Sequence, residues 1–259
     1  MKKFISIISS NTALYIYGIF FIFILWYVIS ISQGYGNLIF PTPIETAAKT
    51  GEILSKAYIY KCIGMTFYRT LLAFSLSFLA ALILGFVAGT FPKFRTFMRP
   101  LIILIKAAPT AAFVFLFLVL SGTKYASVYI VIMLAFPILY EAVVSGLTNI
   151  PSSITDALKI DSSSVWASFF RVKLPLGIPY ILLGLTSSFA LSFKTAIMAE
   201  IVSGDTNYGL GCAINSYRSS DPTNMTPIFS VALIAIVIIL IIDLLSYFAK
   251  KKIDTKIDY

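Results

Sequence analysis

The segment Ile228–Ala249, IFSVALIAIVIILIIDLLSYFA, carries one charged side chain, Asp243, in an otherwise nearly continuous apolar run. A run of about twenty such residues is long enough to cross a bilayer as a helix, the conformation that satisfies its own backbone groups in hydrocarbon. Five more runs follow the same rule: about Ala13–Ser32, Ile63–Phe91, Leu101–Leu120, Tyr125–Leu147 and Ile178–Ser203. The third contains Lys106 and Pro109 and the fourth Pro137, so both are expected to kink or break. The chain is therefore predicted to be an all-α membrane protein with about six transmembrane helices. Its 59% hydrophobic and 12% charged residues, far from the roughly 25% charged of soluble domains, fit that solvent.

Six passes place both termini on one side, and cationic side chains choose which. With both termini cytoplasmic, the inner segments hold about twelve Lys and Arg and the outer ones about five. The formal charge of +9 is then explained by topology and anionic lipid headgroups, not by nucleic acid. The first run is too long for a signal peptide and is read as a retained span. Cys62 and Cys212 have no metal spacing and are expected to be passive; with no His in the chain, no metal site is expected.

Two outer segments have structure of their own. After Pro43, residues Ile44, Ala47, Ala48, Ile53, Leu54 and Ala57 recur at helical spacing, which predicts a helix lying along the outer surface. GDTNYGLGCAINSYRSSDPTNMTP, before the last span, reads as turns around a short helical piece.

The most unusual connection is DALKIDSSSVWASFFRVKLPLGIP, from Asp156 to Pro179. Ser153 is a plausible N-cap for one short amphipathic helix, and Asp161 to Ser164 offer a second cap for another. The Pro175–Pro179 stretch is expected to close this unit before the fifth span. A loop of roughly 28 residues greatly exceeds the median 4–6 for a connection.

That stretch resembles the EAA loop in permease subunits of bacterial ABC importers: Glu-Ala-Ala, a Gly further on, then Leu-Pro. Counting back from Leu174-Pro175 puts Asp156, Ala157 and Leu158 at the Glu-Ala-Ala positions and Ser162 at the Gly. Further blocks are similar to the nitrate/sulfonate/taurine-type group in the same order: LIFPTPIETAA, the second span with Arg69, RPLIILIKAAPTAAFVFLFLVL, AFPILYEAVVSGLTNIP and AEIVSGDTNYGLG. The resemblance implies a type I ABC importer transmembrane domain of MetI-like architecture, a single permease domain with its core at about 60–249. It implies no catalytic site and no cofactor bound by this chain, ATP being used by a partner ATPase. It further implies an extracytoplasmic substrate-binding protein, a second permease subunit, usually the same chain, and the bacterial inner or plasma membrane. Ser162 for Gly and Leu158 for Ala depart from the pattern and bear on how the loop fits its partner. No GxxxxGK[ST] loop occurs, in keeping with nucleotide being handled elsewhere. The competing class, a self-contained secondary transporter or channel, predicts inverted repeats that the sequence lacks.

Charges within spans cost roughly 2.5–3.5 kcal/mol each at a helix centre on insertion scales and should face a pathway, partner or interface. Arg69 is expected to snorkel outward, and Asp243 to pair near the terminal lysine run. For Glu141 a structural pair and a gating role both stand. Lys194 and Glu200 are six residues and roughly 600° apart, so they should not share a face. The fifth span lines the pathway in the resembled family, which makes Lys106, Lys194 and Glu200 candidate pathway residues. The two lysines suit an anionic substrate such as nitrate, a sulfonate or taurine; thiamine-precursor-like compounds are the other class carried by relatives.

Overall fold

A computed structural model of the protein describes residues 11–32, 39–150, 154, 169–205 and 207–257. The described elements are eight α-helices and one π turn. They are α1 (Asn11–Ser32), α2 (Pro43–Leu54), α3 (Ala57–Thr90), α4 (Pro92–Ala107), α5 (Thr110–Thr148), α6 (Leu174–Ser203), α7 (Leu210–Ser220) and α8 (Thr226–Ile257). Four helical segments are long and apolar enough to cross a membrane, at Ala57–Thr90, Thr110–Thr148, Arg171–Ser203 and Thr226–Lys252. Tyr17–Ser32 of α1 is apolar but shorter than these.

α5 is not straight. Gly122 has φ 70 and ψ 174, backbone that glycine adopts without the cost a Cβ would bring. Phe117 and Tyr129 stack with ring centroids 5.7 Å apart. Twelve residues along a straight helix would separate them by about 18 Å, so the chain reverses at Gly122 and 110–121 runs back beside 123–148. Val114, Ala126 and Ile130 close the seam, with Ala199 of α6 packed onto it. Among the described residues four segments are long and apolar enough to cross, against the about six expected, and the reversal divides one of them.

The predicted third span is broken where its proline stands. Ala108 (φ −71, ψ 137) and Pro109 (φ −59, ψ 126) are both extended. Pro109 lacks an N–H and pushes its predecessor out of the helical region, so α4 ends at Ala107 and α5 starts at Thr110. α4 is amphipathic: Met98, Ile102 and Ile105 are buried at spacings of four and three, while Lys93, Arg95 and Arg99 are exposed.

Small residues set the distances in the bundle. A Cβ on Gly85 would meet Val143 Cβ at 2.8 Å, and one on Gly89 would meet Leu147 Cβ at 2.8 Å. One on Gly177 would meet the Gly146 carbonyl oxygen at 2.7 Å. With no hydrophobic drive between helices in lipid, this close van der Waals approach is what holds α3, α5 and α6 together. Phe74, Ala81, Ala88, Leu139, Tyr140 and Val144 fill the core at that end.

α6 begins earlier than expected. The Pro175–Pro179 stretch does not close off the helix: a π turn at Phe169–Lys173 runs straight into Leu174, with Lys173 itself helical at φ −65, ψ −44. A wider turn ahead of Pro175 accommodates the ring and missing N–H that a tight α ladder would reject.

α2 forms as predicted but presents a different face. Thr42 and Glu45 make a reciprocal capping box, with Pro43 in the first turn. Its buried residues are Thr46 and Ile53, and Ser230 Oγ of α8 donates to the Thr46 carbonyl at 3.2 Å. Ile44 is 71% exposed and Ala47, Ala48 and Leu54 also face outward. Of the expected apolar stripe only Ile53 is buried, in the cluster that includes Val231 and Ile234 of α8, and the rest is left open. Trp26 Nε1 and Ser30 Oγ of α1 donate to the carbonyls of Pro41 and Phe40 at 3.0 and 2.7 Å, tying the first helix to this corner.

Candidate functional site

The passes leave the α3–α4 junction at 91–92, the end of α5 at Thr148 and the start of α6 at Leu174 at one end, with Arg95, Arg99, Arg171 and Lys173 nearby; this is called the basic end. At the opposite end lie α2, Gly122 and the segment 204–225. The charged side chains of the spans fall into two groups with different chemistry.

The first group is a closed polar knot near the opposite end. Glu200 is 1% exposed, and its carboxylate accepts from Thr66 Oγ1 (2.9 Å), Arg69 Nη1 (2.9 Å) and the Gly211 N–H (3.0 Å). Arg69 is 8% exposed; it also donates to the Tyr208 carbonyl at 3.0 Å, and its Nη2 lies 3.9 Å from Asp205 Oδ2. The expectation that Arg69 snorkels outward is overturned. A span-buried guanidinium facing a buried carboxylate needs no route to the surface. Asn215 Nδ2 donates to the carbonyls of Glu200 (3.1 Å), Ile201 (3.0 Å) and Asp205 (3.2 Å), and the Leu210 N–H donates to Thr66 Oγ1 at 2.8 Å. Gly204, at φ 69, ends α6 with a left-handed cap and turns the chain back over this knot. Gly209 and Gly211 lie flush on Glu200: a Cβ on either would come within 2.7 Å of its side chain. Cys62 and Cys212 are both free and buried alongside. Burial, with Glu200 and Asp205 nearby, pushes the Cys212 thiol up to about 12.

The second group lies between this knot and the basic end. A cavity of about 370 Å³ is lined by Lys106, Ala108 and Thr110 around the α4–α5 break, by Leu134, Pro137 and Ile138, and by Leu191, Lys194, Thr195 and Met198 of α6. Lys194 is exposed here and makes no ion pair among the described residues. Lys106 Nζ donates to both carboxylate oxygens of Glu141, at 3.0 and 2.8 Å. Toward the basic end a second cavity, of about 700 Å³, has Arg95, Thr96, Arg99, Tyr140, Glu141 and Ser145 in its walls.

The structure therefore separates the three candidate pathway residues. Lys106 and Lys194 line one cavity, while Glu200 faces away into the knot, as the 600° between Lys194 and Glu200 requires. Sequence reading missed the pairing of Arg69 with Glu200 and that of Glu141 with Lys106; no local spacing signals a partner 131 or 35 residues away. Asp243 is exposed on α8 and forms no ion pair among the described residues, contrary to expectation. Of the coupling residues, Leu174 and Pro175 open α6, whereas Asp156, Ala157, Leu158 and Ser162 lie outside the described residues.

Known proteins are similar to this chain in sequence and in fold. The chain is 27% identical over 199 residues to the bicarbonate transport system permease protein CmpB of Synechocystis, covering 72% of this chain and 70% of that protein. It is 23% identical over 209 residues to the nitrate import permease protein NrtB of Synechocystis, covering 76% and 74%. The crystal structure of an amino acid ABC transporter with histidines superposes with a TM-score of 0.65 at 16% identity, over 78% of this chain and 97% of that one, so the fold is that of an ABC transporter transmembrane domain. Residues 77–255 match the family model described as the binding-protein-dependent transport system inner membrane component, and the protein belongs to that family of ABC transporter permeases.

Proposed function

We propose that the chain is the translocation subunit of an ATP-driven importer for a small oxyanion. The observation that carries this reading is the cation-lined cavity at Lys106 and Lys194, set in an otherwise apolar bundle. A lysine kept in mid-span without a carboxylate partner has a reason to be there if a negatively charged solute passes it. Thr110, the first residue of α5, lies in the same wall. Relatives named for bicarbonate and nitrate transport are consistent with such a solute.

On this reading ATP is hydrolysed by a separate cytoplasmic ATPase, which grips the 150–177 connection through Asp156, Ala157, Leu158 and Ser162, with Leu174 and Pro175 passing its motion into α6. An extracytoplasmic binding protein delivers the solute to the opposite end, and a second copy of the chain completes the pathway. The basic end faces the cytoplasm of a bacterial inner membrane, with both termini on that side, by the charge asymmetry of the loops.

The test is reconstitution with the cognate ATPase and binding protein. Nitrate, bicarbonate or a sulfonate held by the binding protein should stimulate ATP hydrolysis and enter vesicles. Replacing Asp156 and Ala157 by arginine should abolish ATPase pull-down. Unchanged association, or uptake confined to cationic or neutral solutes, would overturn the coupling and the anion reading respectively.

A further inference from the structure

The Lys106–Glu141 pair occupies a particular place: Lys106 lines the 370 Å³ cavity, and Glu141 lines the 700 Å³ cavity toward the basic end. The pair thus stands where the walls of the two spaces meet. The pair is not enclosed by the chain: its side chains are 48% and 49% exposed. It stands in contrast to Arg69–Glu200, whose side chains are 9% and 1% exposed and which several further hydrogen bonds enclose.

Both spaces are supplied with unmatched donors. On one side stands Lys194, free of any ion pair among the described residues; on the other are Arg95 and Arg99, four residues apart on α4 and likewise unpaired there. Tyr140, in the same wall, is buried with a hydroxyl that has no hydrogen-bond partner among the described residues. Among the described residues Glu141 is the one carboxylate in the walls of either cavity, and it rests on Lys106.

We propose that Glu141 is a tethered competitor for the transported oxyanion, and that the Lys106–Glu141 pair is a gate opened by exchange of anions. An oxyanion in the smaller cavity takes Lys106 from Glu141, whose carboxylate then turns toward Arg95 and Arg99 in the larger one. No charge is left bare during the exchange: Lys106 trades one carboxylate-like partner for another, and Glu141 moves between cations. In the absence of solute the pair re-forms and closes the gate. The proposal rests on the oxyanion reading above and adds to it the residue that meets the solute and the order of events.

Isothermal titration of nitrate and of methanesulfonate into the full chain, assembled with its ATPase in nanodiscs, tests this. Wild type should bind at least one probe. Glu141→Gln, which leaves Lys106 without its resident competitor, should bind at least tenfold more tightly, and Lys106→Gln at least tenfold more weakly. The exchanged pair, Lys106→Glu with Glu141→Lys, separates a gate from a structural tie: it should melt close to wild type yet fail to bind either probe. An exchanged pair that recovers both melting temperature and binding would show a structural tie only and overturn the gate, as would a Glu141→Gln that binds like wild type. If wild type binds neither probe, the oxyanion reading itself falls and the gate with it. If wild type binds and the variants do not differ, the gate alone falls.

Discussion

Replacing Arg69 by methionine removes the guanidinium from the knot while keeping a long apolar side chain in the span. Glu200 would keep two donors on Oε2, from Thr66 at 2.9 Å and Gly211 at 3.0 Å, and lose the Arg69 contact to Oε1. Its carboxylate would stay 1% exposed with no cation to balance it, since the remaining partners are neutral. Breaking a buried ion pair from one side costs about 3–5 kcal/mol. The Tyr208 carbonyl also loses a donor, but Tyr208 is itself exposed and can turn to water, so little is added. For a domain of this size each kcal/mol moves the melting temperature by about 2–4 °C, so Arg69→Met should melt about 6–20 °C lower. The assay is thermal unfolding of the detergent-purified chain, followed by intrinsic fluorescence. Glu200→Gln should also destabilise, by exposing an amide N–H₂ to the guanidinium fork. The double variant should cost less than the two singles together, because neither charge is then left alone. A single Arg69→Met within about 2 °C of wild type would refute this account, as would strict additivity of the pair.

Other consequences can be checked separately. Gly177→Ala would put its Cβ 2.7 Å from the Gly146 carbonyl oxygen, a backbone atom that cannot step aside; loss of about 2 kcal/mol or more is expected, read as a lower unfolding midpoint. Cys212 should resist maleimide at neutral pH in the native chain, being buried with its thiol pushed up to about 12, and should label quickly once the chain is unfolded in SDS. Glu52 of α2, flanked by Lys49 at 2.6 Å and Lys56 at 2.8 Å, has its carboxyl lowered to about 2 by those hydrogen bonds. The stabilisation is therefore present above pH 4.5 and lost as pH falls toward 2. An NMR titration of Glu52 at low salt should show that depressed midpoint, rising as salt screens this exposed pair.

Much of the helical skeleton could be read from the chain because hydrophobic run length and proline act locally. Pro109 breaks the third run where its missing N–H requires, and the turn between the third and fourth runs falls inside the predicted gap at 121–124. What local pattern did not convey was how tight that turn is, since nothing in SGTK distinguishes a one-residue reversal from a short loop. The stripe on α2 misled for a related reason. Its apolar residues do not act as one face: Ile53 is buried while Ile44, Ala47, Ala48 and Leu54 are exposed, because what is buried depends on α8, where Ser230 reaches the Thr46 carbonyl. Arg69 and Glu141 were misjudged or left open because their partners lie on other spans. A charge in a span announces that a partner exists, and only the packing of α3 on α6 and α4 on α5 identifies it.

The reversal at Gly122 limits how the two cavities can change shape. With a single residue between them, 110–121 and 123–148 have no slack to slide past each other at the end away from the arginines. Their remaining freedom is to splay, as a pair of tongs does about its joint. α4, joined to the first arm through the extended pair Ala108–Pro109, carries Lys106; the second arm carries Glu141. Any spreading of the tongs therefore draws these two side chains apart before it disturbs the seam of Val114, Ala126 and Ile130 beside the joint. One glycine thus fixes which end of the bundle is able to open.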